Sequence, residues 1–223
     1  LGLLIPFIPV PGSAQDIGDS LTRYAITAAI SPETAMASGE AAIRWRNDSP
    51  LPVKMIHLSF CNSAEVDKDK LSDLIADLVV NGNPVELRWK QKEGEDHYFG
   101  FDLLFDNEIK PNAVAEIRMK FTSGRHSNKY GYYRYLDDWF PMVVQTVDGR
   151  PNPKQPVLSA FDVSLTYPSE YKVALSGSII SRSDSQSQVT IRSTARDIPG
   201  FGVLISKDFL AAEGEAAGVK IIS

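Results

Sequence analysis

Two adjacent carboxylates, Asp137 and Asp138, lie in the stretch RYLDDWFPM, between Arg134 on one side and Trp139, Phe140 and Pro141 on the other. A pair of carboxyl groups can divide acid and base work between them, and in glycosidases it does so across a bond at about 5–9.5 Å. Sequence neighbours are poorly placed for that role. On a strand they point to opposite faces, and in a loop their spacing sets neither against the other across a substrate. Two readings remain: one aspartate makes an Asx-type turn or caps a short helix, or the pair touches a ligand or a neighbouring domain.

The remaining chemistry-bearing residues are sparse. The three histidines, His57, His97 and His126, are scattered, and none is followed by glutamate, so no HExxH zinc motif is present. His57 lies in an apolar run and reads as a packing residue, while His97 and His126 read as strand-edge and loop residues. No GxSxG nucleophile elbow and no glycine-rich phosphate loop occurs. The one cysteine, Cys61, excludes an intrachain disulfide framework and a cysteine-rich zinc site. In HLSFCNS it reads as a small buried apolar residue with no activating base beside it. On the residues alone, no catalytic group and no metal ligand is assigned.

The elements that must position these residues are strands. Tyr24, Ile26, Ala28 and Ile30 alternate, as do Ile43 and Trp45, then Val85, Leu87 and Trp89. Ile117, Met119 and Phe121 alternate with Arg118 and Lys120; Phe161, Val163, Leu165 and Tyr167 alternate with Asp162, Ser164 and Thr166. Period two marks half-buried strands. Val53 to Phe60 and Phe99 to Phe105 read as further strands, with Gly100 a bulge or a close approach. Tyr171, Val173 and Leu175, then Val189 and Ile191, then Phe201, Val203 and Ile205 complete the series. Asn81–Pro84, NGNP, is a tight-turn signal, because Asn and Gly tolerate positive φ. The one helical pattern is DKDKLSDLIAD, residues 67–77, where Leu71, Leu74 and Ile75 fall on one side. The expected fold is all-β: a large antiparallel β-sandwich or saddle with short connecting helical turns.

Bulk properties agree with one large domain, or with one domain plus a fragment. The chain has 223 residues, 43% of them hydrophobic, which is enough for a sizeable core. A net charge of −5 without a basic run argues against nucleic acid as partner. The opening LGLLIPFIPVPGSAQD resembles the back half of a secretory signal peptide, with a cleavage zone near Ala14; the alternative is an ordinary proline-rich lead-in segment. It is shorter than the ~20 apolar residues of a spanning helix, and no other stretch is a candidate. Residues 123–156 break the strand rhythm and are rich in aromatic, Gly, Asn, Asp and Pro residues. A connection that long is usually functional or disordered, and its aromatic content argues against disorder. It is the candidate binding surface.

The order of motifs resembles the N-terminal β domain of the aminopeptidase N family of zinc metallopeptidases, especially its exported bacterial branch. The carriers in the opening pattern are Tyr24, Ile26, Ala28, Ile30, Pro32, Glu33, Thr34, Gly39, Ala41, Ile43, Trp45 and Asn47. IHLSFCNSA is similar to a strand end of that family, with Phe60 and Cys61 replacing commoner residues. IKPNAVAEIRMKF resembles another of its strands, with Asn112 where Gly is commoner. GYYRYLDDWFPMV resembles the approach to its aromatic-Pro element, SAFDVSLTYPSEYKVALSG its Phe-x-Val strand pair, and IPGFGVLISKDF the strand that leads into the catalytic domain.

The resemblance implies an organisation: residues 1–21 a leader remnant or irregular segment, 22–210 the β domain, and 211–223 a linker and the start of a catalytic domain. It implies zinc, HExxH and the catalytic glutamate in that further domain, and none of them in this chain. It implies a non-catalytic role, packing on the chain's own catalytic domain and forming one wall of a peptide-substrate cleft, in an exported protein of the periplasm or exterior. The family's amine-gripping loop would fall near Tyr130–Asp138, where no clean Gln-x-Glu pattern occurs; Asp137, Asp138, Tyr133, Arg134 and Trp139 are the candidate substrate contacts. The rival reading is a carbohydrate- or protein-binding β-sandwich that stacks ligands on Tyr130, Tyr132, Tyr133, Tyr135 and Trp139.

Overall fold

Alternating apolar residues set the architecture, because each strand must bury one face. The computed structural model describes residues 22–60, 73–91, 98–123, 133–135, 139–144, 146–147, 150–151, 157–208, 213–216 and 219–222; at 90–91, 98–99, 133–135, 146–147, 150–151, 213–216 and 219–222 it describes backbone only. In chain order the strands are β1 (Thr22–Ser31), β2 (Met36–Arg46), β3 (Val53–Ser59), β4 (Ile75–Val80), β5 (Asn83–Pro84), β6 (Glu86–Gln91), β7 (Tyr98–Ile109), β8 (Val114–Ser123), β9 (Tyr133–Tyr135) and β10 (Met142–Val143). There follow β11 (Thr146–Val147), β12 (Arg150–Pro151), β13 (Ser159–Pro168), β14 (Lys172–Leu175), β15 (Ser178–Asp184), β16 (Gln188–Ile198), β17 (Val203–Ser206), β18 (Glu213–Ala216) and β19 (Val219–Ile222). Among the described residues there is no α-helix.

Eight strands form the main sheet, in the order β15-β16-β13-β1-β2-β8-β4-β5. A second sheet runs β10-β3-β7-β6, a third β14-β17-β9, and β11–β12 and β18–β19 are hairpins. Every described pairing is antiparallel except one. β1 and β13 run parallel, from Thr22 opposite Ser159 to Ala29 opposite Thr166. This seam joins the early strands of the main sheet to the late ones, and the hairpin-rich sequence does not announce it.

The inner face of the main sheet carries Tyr24, Ile26, Ile43, Ile117, Phe121, Phe161 and Leu165, all buried. The second sheet meets it with Ile56, Leu58, Phe101 and Leu103, and one hydrophobic cluster fills the space between. Phe60 and Phe121 meet edge to face across the gap, at 6.4 Å between centroids. Two sheets packed on one apolar layer are the economical way to bury period-two faces.

Local signals are met by backbone geometry. Asn81 and Gly82 take φ of 51° and 81° and close the β4–β5 hairpin, as a two-residue primed turn requires. Gly100 is a close approach: a Cβ there would collide with the Leu58 carbonyl of β3. Gly39 is the same in the main sheet, against the Thr27 carbonyl of β1. Asn112 takes φ of 63° in the β7–β8 turn, where an amide side chain tolerates the left-handed region.

The helix expected over residues 67–77 requires correction. Leu71 and the rest of 61–72 lie outside the described residues, but Ile75–Asp77 open strand β4. Leu74 and Ile75 are buried, and Ile75 pairs with Phe121 of β8. Ile75 enters the strand directly after Leu74, and the strand accommodates a register slip between Ala76 and Val79, with Asp77 at φ of 52°. Sheet pairing overrode a short helical pattern.

The two edges of the main sheet differ. β5 is two residues long and ends in Pro84. β15 is seven residues long and exposed throughout. It carries a register shift between Ile179 and Ser181, and Arg182 and Asp184 stand opposite the buried Ile191 and Val189, on the core-facing side. Bulges and inward-pointing charges are devices that discourage edge pairing with another chain.

Candidate functional site

The RYLDDWFPM stretch divides in two. Asp137 and Asp138 lie outside the described residues. Tyr133 and Arg134 belong to β9, where their backbones pair with Ile205 and Leu204 of β17; their side chains are outside the description. β9 is an edge of its three-stranded sheet. Trp139 is 0% exposed. Its indole N–H donates to the Phe201 carbonyl oxygen at 2.6 Å, and its ring meets Phe140 and Phe121 edge to face, at 4.8 and 6.1 Å.

Phe140 continues inward. It packs edge-on to Tyr24 and Phe161, at 5.8 and 6.1 Å between centroids, and those two stack at 4.9 Å and 11°. The Val143 N–H then donates to the Tyr24 hydroxyl at 2.9 Å across 119 residues of chain. The Trp-Phe-Pro element is therefore a plug in the core. Trp139 has its polar handle bonded and its ring fully buried inside the domain, so it offers no surface to a ligand. What it does is tie the chain at residue 139 to Phe201, just ahead of β17. Of the aromatic platform considered above, Tyr130 and Tyr132 lie outside the described residues, Tyr133 and Tyr135 are described in backbone only, and Trp139 is removed by burial.

His57 is buried, as its apolar strand suggested, and it has a charged partner. Its Nδ1 lies 2.9 Å from Oδ1 of Asp102, the residue directly opposite it on β7. The pair sits on the face of the second sheet opposite Ile56, Leu58, Phe101 and Leu103. The carboxylate orients the imidazole. Nothing in the sequence linked the two, since strand register alone brings them together from 45 positions apart. Among the described residues no group of three His, Cys, Asp or Glu side chains could hold a metal ion. Cys61, His97 and His126 are outside the description.

Other ion pairs lie at the surface, two of them on the main sheet. Arg192 grips Asp162 with two bonds, 2.8 and 2.6 Å; that bond, and then the Asp162 charge, raise the guanidinium's pKa. Lys120 meets Asp77 at 2.7 Å, and the hydrogen bond raises its pKa likewise. Among the described residues Asn47 is the most fully bonded buried amide. It is 1% exposed, donates to the Leu51 and Ile109 carbonyls at 2.9 Å each, and accepts from the Ser49 N–H and hydroxyl at 3.0 and 2.7 Å. It pins the 47–52 loop to the end of β7. No helix of the described residues is long and apolar enough to cross a membrane.

These features define an all-β domain of stacked sheets whose described residues hold a core plug and a His–Asp pair, without a metal cluster. Its fold is that of part of the M1 zinc metallopeptidases. The chain is similar to the crystal structure of an M1 zinc metallopeptidase from Deinococcus radiodurans, with a TM-score of 0.60 and 16% identity over 91% of this chain and 46% of that one. A mutant of the Deinococcus enzyme bound to a Tyr-Ser-Ala substrate matches with a TM-score of 0.58 at 15% identity, over the same shares. A two-domain M1 zinc metallopeptidase mutant bound to L-tryptophan matches at 0.58 and 14% identity, again over 91% and 46%. The chain thus spans about half the length of the solved structures it matches. No family model and no curated protein matches the sequence.

Proposed function

We propose that this chain acts as the non-catalytic N-terminal β domain of an aminopeptidase-like zinc metallopeptidase, packing on the chain's own catalytic domain and forming one wall of its peptide-substrate cleft. The observation that carries this reading is the extent of the fold match: 91% of the chain corresponds to less than half of two-domain peptidases. The order of motifs from Tyr24 to Phe209 supports it. Among the described residues no group of three His, Cys, Asp or Glu side chains could hold a metal ion; in this reading zinc and the hydrolytic step belong to the catalytic domain. This domain's part is positional. Asp137 and Asp138, which lie in the sequence between β9 and the buried Trp139, are with Tyr133 and Arg134 the residues this reading assigns to the peptide. A carboxylate there suits a substrate's free α-ammonium group. The leader-like opening supports export. Of the aromatic platform, Trp139 alone has a described side chain, and it is buried.

Two measurements test the proposal. The 223-residue chain incubated with zinc and an aminoacyl chromogenic substrate is expected to bind no stoichiometric zinc and to turn over nothing; stoichiometric zinc with turnover overturns it. In the natural gene, an HExxH motif is expected downstream of Ser223. If the motif is present, D137A and D138A in the full protein should raise KM for peptides with a free N-terminus more than for N-acetylated ones.

A further inference from the structure

The outer face of the main sheet holds a groove of about 420 Å³ that the peptidase reading does not use. Its floor is one cross-strand row. Thr166 of β13 stands beside Ala29 of β1, Ala29 opposite Ser38 of β2, and Ser38 opposite Thr122 of β8. Thr190 of β16 extends the row on the far side of Thr166. Hydroxyls on neighbouring strands recur at about 4.8 Å, and Ala29 leaves a dip in the middle. Ser31, Thr34 and Met36 around the β1–β2 turn, with Pro168 and Gln188, line it toward the end of the sheet.

Serine and threonine on an open sheet face are ordinary. Two features separate this row from the rest of the face. First, it is uncharged. The next row along carries Arg192, Ser164, Thr27, Glu40 and Lys120, whereas no lining residue of the groove is Asp, Glu, Lys or Arg. Second, it is concave. The Thr34 hydroxyl donates to the Ser31 carbonyl, and the Thr166 and Thr190 hydroxyls bond each other. The side chains of Ser38, Thr122 and Gln188 keep their hydrogen-bonding capacity toward the groove.

We propose that this groove is a binding site for a neutral oligosaccharide. An anion would find no cation here, and a cationic peptide no carboxylate. A purely apolar ligand would strip water from the hydroxyls and leave them unpaired. A sugar offers hydroxyls that both donate and accept, plus a C–H face that can lie on Ala29, Met36 and Pro168. The volume suits a ligand of a few rings. Open walls and neutral bonds imply millimolar affinity.

The test is a titration of the 223-residue chain with cellotetraose, maltotetraose and N,N′,N″-triacetylchitotriose, followed by amide chemical shifts. The expected result is saturable shifts at Ser38, Thr122 and Thr166 with at least one of them. A29L, at an exposed position, should fill the dip and weaken binding at least tenfold while the far-ultraviolet spectrum is unchanged. T122V should weaken it about fivefold, the loss of one neutral hydrogen bond. No saturable shift with any of the three sugars overturns the proposal, as do shifts that persist in A29L or that map to other residues.

Discussion

Asn47→Asp changes one atom of the most fully bonded buried amide among the described residues, and its cost can be worked from the geometry. The native amide uses both N–H bonds, to Leu51 and Ile109, and its oxygen accepts twice from Ser49. Aspartate keeps the shape and the Ser49 bonds. It replaces the NH₂ with a carboxylate oxygen aimed at two carbonyl oxygens 2.9 Å away. Two neutral bonds are lost at about 1 kcal/mol each, and a charge is buried against two dipoles of the wrong sign. The sum is about 3–5 kcal/mol, out of a total of about 5–15 kcal/mol for a domain. Urea denaturation at neutral pH should show a lower midpoint with the slope preserved. The penalty should also depend on pH. Burial beside carbonyls raises the folded-state pKa of the new carboxyl above its unfolded value near ~3.9. The folded state then holds the proton more tightly, so the variant regains stability as pH falls and loses it as pH rises through the folded value. Protonated, the carboxyl can donate to one of the two carbonyls. An Asn47→Asp chain within about 1 kcal/mol of the parent at pH 7, or one whose penalty is flat from pH 7 to pH 4, refutes the reasoning.

Other perturbations separate structural from binding roles. W139F removes the bond to Phe201 and part of the ring volume, and should cost about 2–3 kcal/mol by denaturant midpoint; in a full-length enzyme, KM for peptides should be unchanged below the melting temperature. G100A pushes a methyl group into the Leu58 carbonyl and should cost about 2–3 kcal/mol, with hydrogen exchange accelerating first in β3 and β7. Burial raises the pKa of Tyr167 above the ordinary 10.0, Arg182 opposes the shift, and Asp184 adds to it. A raised folded value means stability present below pH ~10 and lost as pH rises through it. Y167F should therefore flatten the alkaline arm of the stability profile; an arm as steep as the parent's counts against this assignment.

The strands were readable because each exposes one face. In Tyr24 to Ile30, Ile117 to Phe121 and Phe161 to Tyr167 every second residue, from Tyr24, Ile117 and Phe161 onward, is apolar and buried. Turns were readable where a residue type tolerates positive φ, as at Asn81, Gly82 and Asn112. Long-range pairing was not. The spacing of Leu74 and Ile75 fits a helix turn as well as β4, and only the β8 partner decides between them. Trp139 in a Gly- and Asp-rich stretch reads as surface until Phe201, 62 positions later, takes its indole proton. His57 gave no sign of Asp102, nor Asn47 of Ile109, because strand register is invisible in one sequence. Gly39 stood in the opening pattern by type alone; the nearness of the Thr27 carbonyl explains it.

The parallel seam between β1 and β13 has a consequence for the order in which the chain can form. β1 pairs with β2 as soon as both exist, but its other edge must wait for residues 159–166. Until then the early half of the main sheet carries an open edge, and Tyr24 lacks Phe161 beneath it. Loop closure over so long a separation is slow. During synthesis that edge stays exposed until β13 has emerged, and an unpaired strand edge is the feature that recruits chaperones and misassembles. β15, exposed for good at the sheet margin, carries a bulge and inward charges; β1, exposed only in transit, has neither.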